Sequence, residues 1–294
     1  MAILNFKGAA AIVDQSVIDS INTVSIGELN TSSETFIEGM RQWIGNSKLN
    51  TIIGLDTYTH SNVINGTSEA FQMFFQRHHT KSFKFFVGDF TMHKVTSNIM
   101  NVSWEWITKA SQINEGDAVI MSNPFSDFGD THQEYDKVME RCSSLDVPVL
   151  VDCAYFGMCY DIEIDLNHGC IEEVVFSLSK TFPIINARCG VSFRRELIDD
   201  SIEFANQHGI VNLFGVGMGN YCISNWTSDF IPNKYRSTQD KLCTALNMTP
   251  SKCVIFGLGN DIDYNRGNDT SRLCISKELV QYHSHSILDP SIFQ

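Results

Sequence analysis

Apolar residues along this chain recur with two different periods. Between residues 34 and 44, Phe36, Ile37, Met40, Trp43 and Ile44 fall at helical spacing, which predicts an amphipathic helix. Thr51 to Leu55 and Val63-Ile64 are short β-branched pieces, and Asn65-Gly66-Thr67-Ser68 then leads into a helix rich in Phe71, Met73, Phe74 and Phe75. Further on, apolar residues gather in short stretches: Phe83 to Val87, interrupted by Lys84, Ala118 to Met121, Val147 to Val151 and Val174 to Ser177. Helical spacing lies between them at Asp130 to Cys142, while residues 99 to 107 fit neither period. Short apolar runs alternating with helices predict an α/β fold, a mostly parallel sheet covered by helices on both faces. Right-handed crossovers then gather the functional loops at the carboxyl ends of the strands.

After Arg195 the pattern changes. Asp199 to Gln207 and Tyr235 to Leu246 suit helices, Gly215, Gly217 and Gly219 interrupt the segment between them, and Cys253 to Phe256 and Leu273 to Ser276 suit strands. The expected division is an N-terminal arm and helix (1–45), a large domain (46–195) and a small α+β C-terminal subdomain (196–294).

Composition narrows the class. Hydrophobic residues make up 43% and charged residues 19% of the 294, which suits a packed core rather than a disordered chain. A net charge of -13 argues against a nucleic-acid partner, which would favour a basic face. The nine cysteines are odd in number and form no C-x-x-C pair, so no metal site is expected and a reducing cytoplasm fits best. No apolar run approaches the roughly 20 residues that span a bilayer, so no membrane partner is expected. Met1 to Lys7 has no basic stretch followed by a long apolar run, so no leader is expected.

The chemistry-bearing residues sit where these strands end. Asp152 closes the run Val147 to Val151 and Lys180 follows Val174 to Ser177, flanked by Ser179 and Thr181. A lysine after a buried strand is poorly placed as a solvated cation and well placed as an imine-forming amine. A carboxylate at such an edge is costly to bury unless a cation meets it. Gly66-Thr67-Ser68 before a helix suits an anion site, though an ordinary N-cap has the same look. Arg188 offers a bidentate fork for phosphate. Asn123-Pro124 is also an ordinary turn, and Tyr155 also an ordinary packing residue.

Taken in order, these segments resemble the core of the class I/II aminotransferases, fold-type I enzymes that depend on pyridoxal 5'-phosphate. Gly66-Thr67-Ser68-Glu69-Ala70 resembles the phosphate-cradling turn, Ser122-Asn123-Pro124 the Asn-Pro motif, and Asp152-Cys153-Ala154-Tyr155 the Asp-x-x-Tyr motif. Ser177-Leu178-Ser179-Lys180 with Arg188 resembles the Schiff-base lysine motif and its phosphate arginine. The resemblance is clear from about residue 62 to 195. It implies that Lys180 forms the imine and then moves a proton, that Asp152 keeps the pyridine nitrogen protonated, and that Tyr155 and Asn123 contact the phenolate oxygen. Gly66, Thr67, Ser68, Ser177, Ser179 and Arg188 would hold the phosphate. Phe90, with His93 as a competitor, would stack on the ring. Ser271-Arg272-Leu273 resembles the strand whose arginine clamps the substrate carboxylate, so Arg272 and Asn123 are the expected substrate contacts.

The implied activity is transamination between an α-amino acid and a keto acid in a cytoplasmic homodimer. A lyase, decarboxylase or cyclase would use the same cofactor contacts, and a non-catalytic cofactor-binding homologue would keep some of them. The chain departs from the family pattern at its ends, where it is short. Leu29-Asn30-Thr31-Ser32 stands where an aromatic residue reaching a neighbouring subunit's phosphate is expected.

Overall fold

The computed structural model describes residues 8–259 and 271–286. Residues 1–7, on which the leader expectation rests, lie outside them. The helices are α1 (Gln15–Ile21), α2 (Ser33–Gly45), α3 (Thr67–Arg77), α4 (Met92–Met100), α5 (Tyr135–Ser144), α6 (Ser201–Gln207), α7 (Leu213–Asn225), α8 (Phe230–Ala245) and α9 (Ser276–Ser286). The strands are β1 (Thr51–Ile53), β2 (His60–Ile64), β3 (Ser82–Phe86), β4 (Ser103–Ile107), β5 (Asp117–Ser122), β6 (Val149–Asp152), β7 (Glu163–Asp165), β8 (Ile171–Ser177), β9 (Gly190–Arg194), β10 (Thr249–Pro250), β11 (Phe256–Gly259) and β12 (Ser271–Cys274).

Seven strands form the central sheet in the order β2-β9-β8-β6-β5-β3-β4. Only β9 runs against both its neighbours; β4, β3, β5, β6 and β8 pair in parallel. The apolar runs explain the position. Successive residues of a strand face opposite sides, and here both sides are core. Val119, Met121, Val149 and Val151 join one hydrophobic cluster with residues of α2 and α5. Ala118, Ile120 and Leu150 join the other with Phe71, Phe74 and Phe75 of α3. Each such side chain contributes about 1.5–3 kcal/mol when fully buried. The C-terminal part adds the antiparallel sheet β10-β11-β12, and β1 and β7 form a separate parallel pair.

Three local expectations are corrected. The ambiguous stretch 99–107 is two elements, the end of α4 and strand β4, joined through Asn101 in the left-handed conformation at φ 53°. The helix expected from Asp130 begins at Tyr135, because Thr131 N–H donates to the Asp130 carboxylate and Glu134 N–H to His132, which holds the chain in turns first. The glycines of 215–219 do not interrupt a helix; they lie within α7. A Cβ at Gly217 would stand 2.1 Å from the Leu29 carbonyl, and one at Gly215 2.4 Å from that of Ala187. Here glycine allows close approach of backbones, a need that only the tertiary structure reveals.

Candidate active site

The carboxyl ends of β3, β5, β6 and β8 open onto one cavity of about 130 Å³. Lys180, Asp152, Tyr155 and Phe90 line it together with Thr67, Ser68, Ser177, Ser179 and Arg188. Nine residues separated by up to 121 positions in sequence, from Thr67 to Arg188, thus converge on one space.

The local chain explains each position. Gly66 has φ 78°, and a Cβ there would fall 2.5 Å from Arg188 Nη2, so the turn before α3 admits the guanidinium only as glycine. Arg188 itself takes the left-handed conformation, φ 50°, and donates from Nη2 to the Asn65 carbonyl at 3.1 Å. Ser177 Oγ lies 3.1 Å from Ser179 Oγ and accepts from the Ser179 backbone N–H at 3.2 Å, folding the loop after β8 into a hydroxyl pair. The free N–H groups at the start of α3 lie at the same end of the cavity, where the helix dipole favours an anion.

Asp152, 6% exposed, lines the same cavity. Its carboxylate accepts from the Ala154 backbone N–H at 3.1 Å. Burial, reinforced by the negative charge of Asp89, pushes its pKa up to about 8. The Lys180 amine is half-buried and lowered below the ordinary lysine value, chiefly by burial, with Arg188 and Arg272 acting in the same direction. Its Nζ donates to the Ala9 carbonyl at 2.6 Å. Phe90 forms a wall of the cavity, whereas His93 is 1% exposed and packs beneath it against Phe71 and Phe85.

Arg272 lines an adjoining cavity of about 500 Å³ that shares Phe90, Ser126, Tyr155 and Lys180 with the first. Its guanidinium donates from Nη1 to the Ser126 carbonyl and lies 4.4 Å over the Phe256 ring. Asn123 is placed differently. Its backbone N–H donates to the Asp152 carbonyl at 2.9 Å, but its side chain is not part of either lining. Asn123 Oδ1 accepts from Thr131 Oγ1 at 3.2 Å, and Nδ2 is buried beside the Tyr135 hydroxyl without the geometry of a hydrogen bond.

Three residues at the site carried no expected role. Asp89, 1% exposed, accepts from Ser122 N–H at 3.0 Å, Ser122 Oγ at 2.5 Å and Phe90 N–H at 2.7 Å. Ser122 lines the inner cavity and Ser126 both. In sequence, Gly88-Asp89 looks like a turn and Ser122 the end of a strand, so nothing there signals a pair of carboxylates.

No protein-family model and no curated protein matches the chain. Solved structures do. An aromatic aminotransferase from Pyrococcus horikoshii is 12% identical, with a TM-score of 0.68 over 97% of this chain and 95% of that one. An aminotransferase from Staphylococcus aureus is 10% identical, with a TM-score of 0.67 over 96% and 93%. A putative aminotransferase from Clostridium difficile, solved with pyridoxal phosphate bound, is 11% identical, with a TM-score of 0.65 over 94% and 89%. The expected fold is therefore the one observed: a mostly parallel sheet with helices and a C-terminal antiparallel sheet, as in these aminotransferases.

Proposed function

We propose that this protein is a pyridoxal 5'-phosphate-dependent aminotransferase that moves an amino group between an α-amino acid and a keto acid. The observation that carries this reading is the pairing of opposites in one cavity. A buried carboxylate with a raised pKa suits a cation, a glycine turn, hydroxyls and Arg188 suit a phosphate, and an amine with a lowered pKa lines the same space. Apart from Gly66 and the Asn123 side chain, the expected cofactor contacts line one cavity, which supports the cofactor assignment.

When bound, pyridoxal phosphate supplies an electron sink for charge developing at the substrate α-carbon. Asp152 would meet the protonated pyridine nitrogen, which would offset the cost of its burial. Thr67, Ser68, Ser177, Ser179 and Arg188 would hold the phosphate, with Phe90 and Tyr155 beside the ring. Lys180, its amine more readily neutral than that of a solvated lysine, would take the proton that the amino acid's α-carbon loses and, in the reverse half-reaction, deliver the proton that the keto acid's α-carbon gains. Arg272 orients the substrate carboxylate from the adjoining cavity. A contact from Asn123 to the ring oxygen or the substrate requires its partnerless Nδ2 to turn toward the cavity.

The reading includes a homodimer and a cytoplasmic setting. Ile185 is 43% exposed and lines the inner cavity, and Leu213 and Phe214, each 56% exposed, stand beside it where Asn212 Nδ2 donates to the Ala187 carbonyl. An apolar rim next to the site suits a second copy of the chain. All nine cysteines are free thiols, which suits a reducing compartment. No helix among the described residues is long and apolar enough to cross a membrane.

The test of the function is to load purified protein with pyridoxal phosphate and screen amino acids against a keto-acid acceptor, following both the new keto acid and the new amino acid. Stoichiometric appearance of both is expected. Release of carbon dioxide or ammonia without amino transfer would replace this reading with a decarboxylase or lyase. Equilibrium sedimentation is expected to give a dimer, and an active monomer would remove that part.

A further inference from the structure

Asp152 does not stand alone. Ser122, its register partner across β5 and β6, delivers both its N–H and its hydroxyl to Asp89, which also accepts from the Phe90 N–H. The Asp89 carboxylate is thus fixed by three donors, and its charge raises the proton affinity of Asp152. Two buried acids side by side destabilise the unliganded protein. They attract a cation more strongly than either alone.

We propose that Asp89 is a positioning residue that acts through Asp152: it deepens the negative potential where the cofactor's pyridine nitrogen is held and fixes Phe90 against the ring. This rests on the cofactor assigned above. Asp89 touches neither substrate nor cofactor in this account. Its charge would act on the ring nitrogen chiefly while Asp152 keeps that nitrogen protonated, so its effect on affinity depends on Asp152, and the Phe90 N–H it accepts adds a smaller part that does not. His93 and His132 also interact with Asp89. Burial lowers both, His93 to about 4, so neither offsets that charge at pH 8.

The test is a double-mutant cycle on cofactor affinity. Pyridoxal phosphate is titrated spectroscopically at pH 8 into the wild type, Asp89→Asn, Asp152→Asn and the double variant. Asp89→Asn is expected to weaken binding roughly tenfold, the size of a screened Coulomb attraction over several ångströms. In the Asp152→Asn background the same change is expected to have less than a third of that effect. In the unliganded protein, Asp89→Asn is expected to lower the pH at which Asp152 titrates, seen as a shift in the pH dependence of thermal stability. If Asp89→Asn does not fold, Asp89→Ala with added formate replaces it, and formate is expected to restore part of the lost affinity. Equal losses in both backgrounds, unchanged affinity, or no effect of formate on a weakened Asp89→Ala would overturn the proposal while leaving the cofactor site standing. A wild type that binds no pyridoxal phosphate would overturn the functional reading and this inference together, whereas the stability profile still reports whether Asp89 and Asp152 are coupled.

Discussion

The two edges of the central sheet treat buried charge in opposite ways. At the edge away from the cavity, Glu173 is fully buried but meets Arg77 at 2.5 Å and Arg194 at 3.2 Å, and accepts from Ser192. Asp200 meets the same two arginines at 2.9 and 3.0 Å, which ties the start of α6 to β8 and β9. The Arg194 contacts are close in distance although its N–H groups do not point along them. At the cavity edge, Asp152 and Asp89 place like charges together. The first arrangement is complete within the folded chain. In the second, Asp152 is neutralised by a proton up to about pH 8 rather than by an ion pair, and we propose that a bound ligand supplies the cation. Burial alone does not mark a functional carboxylate; burial with the opposite charge left to a ligand does.

The same chemical change should therefore have opposite signs at the two edges. Glu173→Gln leaves two arginines facing one another with less negative charge between them, and should destabilise the protein by about 3–5 kcal/mol in urea unfolding. A loss below about 1 kcal/mol would show that this network contributes little.

Arg272→Ala addresses the boundary between site and scaffold. If Arg272 clamps the substrate carboxylate as proposed, its loss should weaken amino-acid binding to the loaded protein by about 2–5 kcal/mol, with a much smaller effect on the corresponding decarboxylated amines. Equal losses for acid and amine would make Arg272 structural, like Arg194.

Asp152→Asn gives the opposite sign to Glu173→Gln. An aspartate in the unfolded chain loses its proton near 3.8, whereas Asp152 in the folded protein keeps it up to about 8. Between these values the folded state binds the extra proton, so the unliganded wild type loses stability as pH rises from about 4 to 8. The amide variant has no such loss. Unliganded Asp152→Asn should be more stable than the wild type by roughly 2–4 kcal/mol at pH 8, with the gap narrowing toward pH 4. A variant less stable than the wild type at pH 8 would end the contrast between the two edges.

Much of this was legible in the chain because it is local. Runs such as Ala118 to Met121 and Val174 to Ser177 cannot bury both faces except in the middle of a covered sheet, and Asp152 and Lys180 stand directly at strand ends. Gly66 was legible because a glycine with hydroxyls before a helix is a local signature. What was not legible depends on distant neighbours. Asp89 gains its meaning from Ser122, 33 residues on, and the α7 glycines gain theirs from Leu29 and Ala187. The choice between Phe90 and His93 as the cavity wall was equally closed to sequence, since both follow the same strand and only the turn of α4 buries the histidine.

We propose that the amine of Lys180 and the carboxylate of Asp152 face one cofactor. Incubation with pyridoxal phosphate, reduction with borohydride and peptide mass analysis test it most directly. The expected result is a yellow protein with one reduced adduct per chain, on Lys180, absent in Lys180→Ala and formed only weakly in Asp152→Asn. An adduct confined to another lysine, or one formed equally well without the Asp152 carboxylate, would contradict it.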